Sequence, residues 1–301
     1  MSQEQYNILL YYKFVSIPNP EEFTAEHLKY CKDLGVKGRI IIAEEGINGT
    51  VSGTVEQTEQ YMKDLHANPL FADMVFKIDE SHEHAFKKIF VRYKQELVTF
   101  RYDKHLDPNT ISGKRLSPTE FHEQLQQDDV IVIDGRNDYE YEIGHFRNAI
   151  RPDVESFREF PEWIRANLSE FKDKKVLTYC TGGIRCEKLT GFLMHEGFND
   201  VAQLDGGIVT YGKDPEVQGR LFDGKCYVFD ERISVPINHT DEDIVVGKCY
   251  HCGKSEDRYI NCRYKLCNAK HVCCEECEAE HRGFCSEECE DHFENISKSQ
   301  V

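Results

Sequence analysis

Hydrophobic and polar positions divide the chain into stretches of different period. Tyr6–Phe14 reads YNILLYYKF, an apolar and aromatic run of strand length, and Pro18 and Pro20 break it. Residues 21–34 then place Phe23, His27, Leu28 and Cys31 at helical spacing, and Gly35 ends the segment. Residues 39–43 and 49–53 flank EEGIN and read as two strands. Residues 54–66 are helical through Val55, Tyr61, Met62 and Leu65, and residues 72–78 read as a last strand. The order is β-α-β-β-α-β, which predicts a split βαβ plait. Such plaits host many unrelated functions, so the pattern alone assigns none.

Residues 81–115 join this unit to the next, with one extended segment over 89–100. From 116 the pattern alternates again. Ser117-Pro118-Thr119-Glu120 opens a helix with Ser as N-cap and Pro at the first position. Val130–Asp134 is a fully apolar strand, residues 157–168 are helical, and residues 176–180 form another strand. A helix over 186–196 stops at Gly197, and residues 201–204 are a short strand before Asp205-Gly206-Gly207. Strands alternating with helices imply a parallel, doubly wound sheet, whose ligands bind beyond the strands' carboxyl ends.

Cys180 stands at such a strand end, in VLTYCTGGIRCE. The loop Thr181, Gly182, Gly183, Ile184 leads into a helix, so its backbone N–H groups and the helix dipole would surround the sulfur. That environment favours an anion, which for a thiol means a lowered pKa and a nucleophile at neutral pH. Arg185 supplies a fixed positive charge, and Cys186 is a second thiol one residue on. Cys186 is either a resolving thiol or a buried helix residue.

Composition limits the remaining choices. The chain has 301 residues, 40% hydrophobic and 30% charged, enough for two or three domains. No stretch has the ~18 apolar residues of a membrane span. The first apolar run lacks a basic region before it and contains Lys13, so it reads as a strand and not as an export signal. The expected location is the cytoplasm. A net charge of −17 argues against holding nucleic acid through bulk charge. Basic residues are nevertheless clustered. Lys87, Lys88, Arg92, Lys94, Lys114 and Arg115 in the linker, with Arg258, Arg263 and Lys265 near the end, would face RNA if the fold gathers them, flanked by Tyr93 or Tyr264 for stacking.

Nine of the 13 cysteines fall within residues 249–289. Cys249, Cys252, Cys262, Cys267, Cys274, Cys277, Cys285 and Cys289 are eight candidate ligands, which two closed, structural Cys₄ zinc sites would use in full. The expected pairing is interleaved, 249/252 with 274/277 and 262/267 with 285/289; sequential pairing is the alternative. Cys273, His251, His271 and His281 are left over. The tail has too few apolar residues for its own core, so metal would hold it.

Three pieces resemble a rhodanese domain: VIVIDGRNDYEYEIGHFRNAI (130–150), CTGGIR (180–185) and NDVAQLDGGI (199–208). The resemblance implies that Asp134 and Arg136 shape the floor of the site and that Cys180 carries a persulfide or acts as nucleophile. The six-residue loop has the length of sulfur carriers and is one residue short of the related phosphatases. With the plait, VRYKQELVTF, FREFPEW, CTGGIRCEK and the Cys-rich tail, nearly the whole chain is similar to the bacterial oxygen-dependent tRNA uridine(34) hydroxylases. That resemblance implies 5-hydroxylation of the wobble uridine in the tRNA anticodon loop, with molecular oxygen as co-substrate. The sequence contains no flavin, haem or iron motif. The resulting expectation is a ferredoxin-like α+β plait over 1–80, a basic linker over 81–115, a rhodanese-like α/β domain over 116–225, and a linker plus zinc module over 226–301. A persulfide-passing sulfurtransferase and a non-enzymatic protein-binding module are the alternatives.

Overall fold

The computed structural model describes residues 5–299 apart from residues 103, 105 and 268. The first unit comprises β1 (Tyr6–Phe14), α1 (Pro20–Leu34), β2 (Lys37–Ala43), β3 (Gly46–Thr54), α2 (Val55–Ala67), β4 (Phe76–Ser81) and β5 (Ile89–Tyr93). Its sheet order is β4-β1-β3-β2-β5, antiparallel except for the parallel β2–β5 pair. Alternation in β1 sends Leu9 and Tyr11 into a core with Ile40, Ile42, Val51, Tyr61 and Val91. It sends Ile8, Leu10, Tyr12 and Phe14 to the face without helices. A capping box between Thr54 and Gln57 starts α2.

Two expectations need correction here. The last strand of the plait begins at Phe76, because Phe71 and Met74 are buried anchors of hydrogen-bonded turns before it. The extended segment of the linker keeps strand form only through Tyr93, where it adds a fifth strand to the plait. Beyond it Phe100 is buried among Phe157, Phe160 and Phe192 of the second unit, so the linker is a packed strap.

The second unit comprises β6 (Lys114–Leu116), α3 (Pro118–Leu125), β7 (Val130–Asp134), α4 (Asp138–Tyr141), β8 (Gly144–Phe146), α5 (Phe160–Asn167), β9 (Lys175–Tyr179), α6 (Ile184–His195), β10 (Asp200–Leu204), α7 (Gly207–Lys213), β11 (Phe222–Tyr227) and β12 (Ser234–Pro236). The parallel sheet has the order β6-β10-β9-β7. Val132, Leu177 and Ala202 point into one core and Ile133, Val176 and Val201 into the other, as strands covered on both faces require. Ser117 and Glu120 form the capping box of α3. The helix expected over 157–168 is a 3₁₀ turn from Phe157 that becomes α-helical at Phe160.

The tail contributes β13 (Tyr259–Asn261), β14 (Lys270–Val272), α8 (Glu275–Glu280) and α9 (Glu287–Ser299). It docks on the second unit through Tyr259 and Val272, which pack with Ile143 and Tyr227. Among the described residues no helix is long and apolar enough to cross a membrane.

Candidate active site

β9 ends at Tyr179, and the chain turns through Cys180–Gly183 into α6. Gly183 takes φ 103°, a left-handed value that glycine alone adopts without strain, and caps the helix. Its N–H donates to Cys180 Sγ at 3.1 Å. The loop carbonyls are turned away from the sulfur by α7: the N–H of Ile208 donates to the Cys180 carbonyl at 3.0 Å and that of Val209 to the Thr181 carbonyl at 3.1 Å. Gly207 makes this close approach possible. A Cβ there would lie 2.6 Å from the Cys180 carbonyl oxygen and 2.7 Å from the Gly183 nitrogen.

Cys180 is buried, with 1% of its surface exposed. Burial alone would raise its pKa. A hydrogen bond from the Cys186 thiol, the Arg185 charge and the N–H groups of Cys186 and Arg185 outweigh that and bring it down to about 6. Burial and the adjacent Cys180 push Cys186 the other way, well above the ordinary thiol range. Of this buried pair, Cys180 is therefore the thiolate and Cys186 the proton-bearing donor.

Arg185 does not face the thiolate alone. Its guanidinium pairs with Glu140 at 2.6 and 2.8 Å, and one nitrogen reaches Thr181 Oγ1 at 3.3 Å. Glu140 has no exposed surface. Burial favours its neutral form, but the Arg185 ion pair holds the carboxyl below its ordinary value. Asp134 and Arg136 are likewise fully buried and bond to each other at 2.7–3.2 Å; Tyr179 Oη donates to Asp134 at 2.7 Å. They form a sealed ion pair beneath the loop.

The plait covers the loop from the other side. A Cβ on Gly182 would touch Leu10 at 3.0 Å, and one on Gly183 would touch Tyr12 Oη at 2.9 Å. Lys77 on β4 reaches across to donate to the Gly182 carbonyl at 3.0 Å. Its burial lowers the ammonium pKa, opposed by Cys180, Asp205 and Glu187. Tyr12 donates to Glu187 at 2.9 Å, Lys188 pairs with Glu45 at 2.8 Å, and Arg232 pairs with Asp79 at 2.8 Å. The site is thus composite. A cleft beside Thr181 is lined by Leu10, Thr50, Lys77, Val209, Phe229 and Arg232. At about 50 Å³ it has room for little more than a water, so a base entering it must displace Phe229 or Leu10. Sequence reasoning missed Lys77, Tyr12 and Glu140. Only Glu140 left a local trace, since it lies three residues after Asn137 in a capping box.

The basic residues expected to meet RNA divide into two sets. Lys87 pairs with Glu231 at 3.3 Å, Lys114 with Glu120 at 3.9 Å, Arg115 with Glu187 at 2.9 Å and Arg258 with Glu278 at 2.6 Å. Lys88, Arg92, Lys94, Arg263 and Lys265 are exposed and have no carboxylate partner among the described residues. Tyr93 is in register with Ile42, on the helix-covered side of the plait, and Tyr264 stacks on His292.

The tail gathers its cysteines as Cys249, Cys252, Cys274, Cys277 and as Cys262, Cys267, Cys285, Cys289, the interleaved scheme, with sulfurs in each group within 4.8 Å of one another. S···S separations of 3.8, 3.7 and 3.6 Å match the edge of a tetrahedron with Zn–S bonds of about 2.3 Å. The residues fit structural zinc. His251, His271 and Cys273 form a further group beside the first. Protein purified under reducing conditions should hold two zinc ions by elemental analysis, and chelation should unfold the tail before the two larger units; one ion or none would refute the double assignment.

Comparison with known proteins completes the description. Residues 6–97 match the UPF0176 acylphosphatase-like domain, 117–214 the rhodanese-like domain and 223–290 the rhodanese C-terminal family. A protein of Bacillus licheniformis named tRNA uridine(34) hydroxylase is 61% identical over 98% of this chain and 91% of its own length. One of Bacillus pumilus with the same name is 56% identical over 99% and 92%. Among solved structures, a rhodanese-like domain protein of Staphylococcus aureus is 26% identical over 34% of this chain and 94% of its own, with a TM-score of 0.28.

Proposed function

Because the chain belongs to the tRNA uridine(34) hydroxylase family, we propose that it hydroxylates C5 of the wobble uridine in the anticodon loop of tRNA, with molecular oxygen as co-substrate and Cys180 as the reacting group. The observation that carries this reading is a buried thiol at a strand end, held by a loop N–H beside Arg185 and covered by the plait, surroundings that bring its pKa down to about 6. At neutral pH such a group is a thiolate. Addition of the thiolate to C6 of uracil makes C5 electron-rich toward an oxygen electrophile. Loss of the C5 proton and of the thiolate from C6 then restores the ring, and the second oxygen atom of O₂ leaves as water at the expense of an external two-electron donor. Negative charge develops on the ring oxygens as the thiolate adds, and Lys77 is the half-buried cation the plait brings to the loop. Cys186 stays protonated and donates its S–H to the Cys180 thiolate. Zinc in the two tail sites supplies structure alone, since each would be closed by four thiolates. Eight cysteines gathered into two metal-type groups support a reducing compartment, the cytoplasm.

A sulfurtransferase is the second reading, favoured by the rhodanese-like match over 117–214. Mass spectrometry of tRNA nucleosides from a strain lacking the gene separates the two. Loss of 5-hydroxyuridine and its derivatives, restored by the wild-type chain, is the expected result. Unchanged 5-hydroxyuridine with loss of a thiolated nucleoside would favour sulfur transfer.

A further inference from the structure

The face of the plait that seats the catalytic loop extends well past it. In the strand register, Lys77 pairs with Leu10, Leu10 with Thr50, Thr50 with Arg39, and Arg39 with Phe90. These five residues form one row across the whole sheet, on the side away from α1 and α2. The next row runs Tyr12, Asn48, Ile41, Arg92. One end of each row touches the loop, through Leu10 at Gly182 and Tyr12 at Gly183. The other end is open: Phe90 is 42% exposed, and Arg39 and Arg92 are exposed.

The open end has the chemistry of a single-strand seat. β2, β3 and β5 contain Lys37, Arg39 and Arg92 and not one carboxylate, in a chain with 54 acidic residues. Arg39 and Arg92 have no acidic partner among the described residues, unlike Arg115 and Arg258. The Arg92 guanidinium lies over the Phe90 ring at 5.2 Å, so a planar cation and an aromatic face stand together at the surface. From Leu10 to Phe90 is three strand spacings, about 14 Å at 4.7–4.9 Å each.

We propose that this face binds the single-stranded RNA flanking the target base, with a neighbouring base stacked on Phe90 and phosphates held by Arg39 and Arg92, while the target base goes to the cleft beside Thr181. The proposal rests on the hydroxylase reading and adds where the substrate lies. It uses a β-sheet surface for stacking and basic side chains for the backbone, the combination that suits unpaired loops. A duplex would find no groove-reading element here. A protein partner would not require the strands to be free of acid.

The test uses the full chain and tRNA isolated from a strain lacking the gene, with affinity measured by mobility shift at several salt concentrations. The Arg39→Glu/Arg92→Glu double variant should weaken binding at least tenfold and lower the salt slope by about two. Phe90→Ala should weaken it roughly fivefold to a hundredfold, and Phe90→Trp should restore it. The iodoacetamide rate of Cys180 should be the same in all of them, which shows that the loop is intact. Wild-type affinity in both the double variant and Phe90→Ala, or a loss that tracks loss of thiol reactivity, would overturn the proposal. If those variants also make 5-hydroxyuridine at the wild-type rate, the face is wrong and the hydroxylase reading stands. If the wild-type chain itself neither binds nor modifies this tRNA, both fail together.

Discussion

Replacing Cys180 by alanine should abolish formation of 5-hydroxyuridine while leaving a folded protein. The loss should be roughly a thousandfold or more, about 4 kcal/mol of barrier, because no other thiolate stands in the loop. Cys186 cannot substitute, since its burial, the largest cause of its raised pKa, remains when Cys180 is removed. The accompanying pH profile is as informative as the loss. Alkylation of Cys180 by iodoacetamide should rise about tenfold per pH unit below its pKa of about 6 and level off above it. Burial slows the reaction by the same factor at every pH, so the midpoint is readable even where the rate is low. Cys31 and Cys226, pushed up to about 12 and about 11 by burial, should show no midpoint in this range. A Cys180 rate still climbing between pH 8 and 9 would defeat the thiolate assignment. Stability follows with a definite sign. The folded pKa lies below the free-thiol value of about 8.5, so the thiolate stabilises the fold fully above that value. The contribution falls as pH drops toward 6, and Cys180→Ala should remove that dependence.

What the sequence revealed and what it hid differ by range. The loop Cys180–Arg185, the capping box at Ser117 and the CxxC spacings act within a few residues, so their geometry could be read from spacing. The interleaved pairing of the tail is one of two schemes the spacing leaves open, and the fold selects it by bringing Cys249 and Cys252 to Cys274 and Cys277. Lys77 and Tyr12 could not be read this way. Each reaches the loop only because the helix-free face of the plait packs on it, more than a hundred residues away in sequence. Net charge misled for a related reason. Lys87, Arg115 and Arg258 look like free cations in a string of letters, but folding gives each an acidic partner. Arg39 looks unremarkable in KGRIIIA, but the register sets it beside Phe90 on strands that carry no carboxylate.

Glu140 carries the second large effect. Its carboxylate is fully buried and is held by Arg185, which is itself only 8% exposed. Glu140→Ala leaves that guanidinium buried without its hydrogen-bonded carboxylate and with only the Cys180 thiolate as counter-charge, and breaking a buried pair typically costs about 3–5 kcal/mol. The melting temperature of the central unit should fall by roughly 10 °C. Glu140→Gln keeps the shape and one hydrogen-bond acceptor, so it should cost less and leave the loop in place. Its effect on the thiol is then the sharper measurement. Glu140 neutralises part of the Arg185 charge, so removing its negative charge should strengthen the field of Arg185 at Cys180 and move the alkylation midpoint below that of the wild type. Two groups thus act on one cation in opposite senses: Arg185 lowers the thiol pKa, and Glu140 limits the lowering while fixing the guanidinium beside Thr181. A midpoint that moves upward in Glu140→Gln, with the fold intact, would show that aiming Arg185 outweighs shielding it and would reverse this account of the pair.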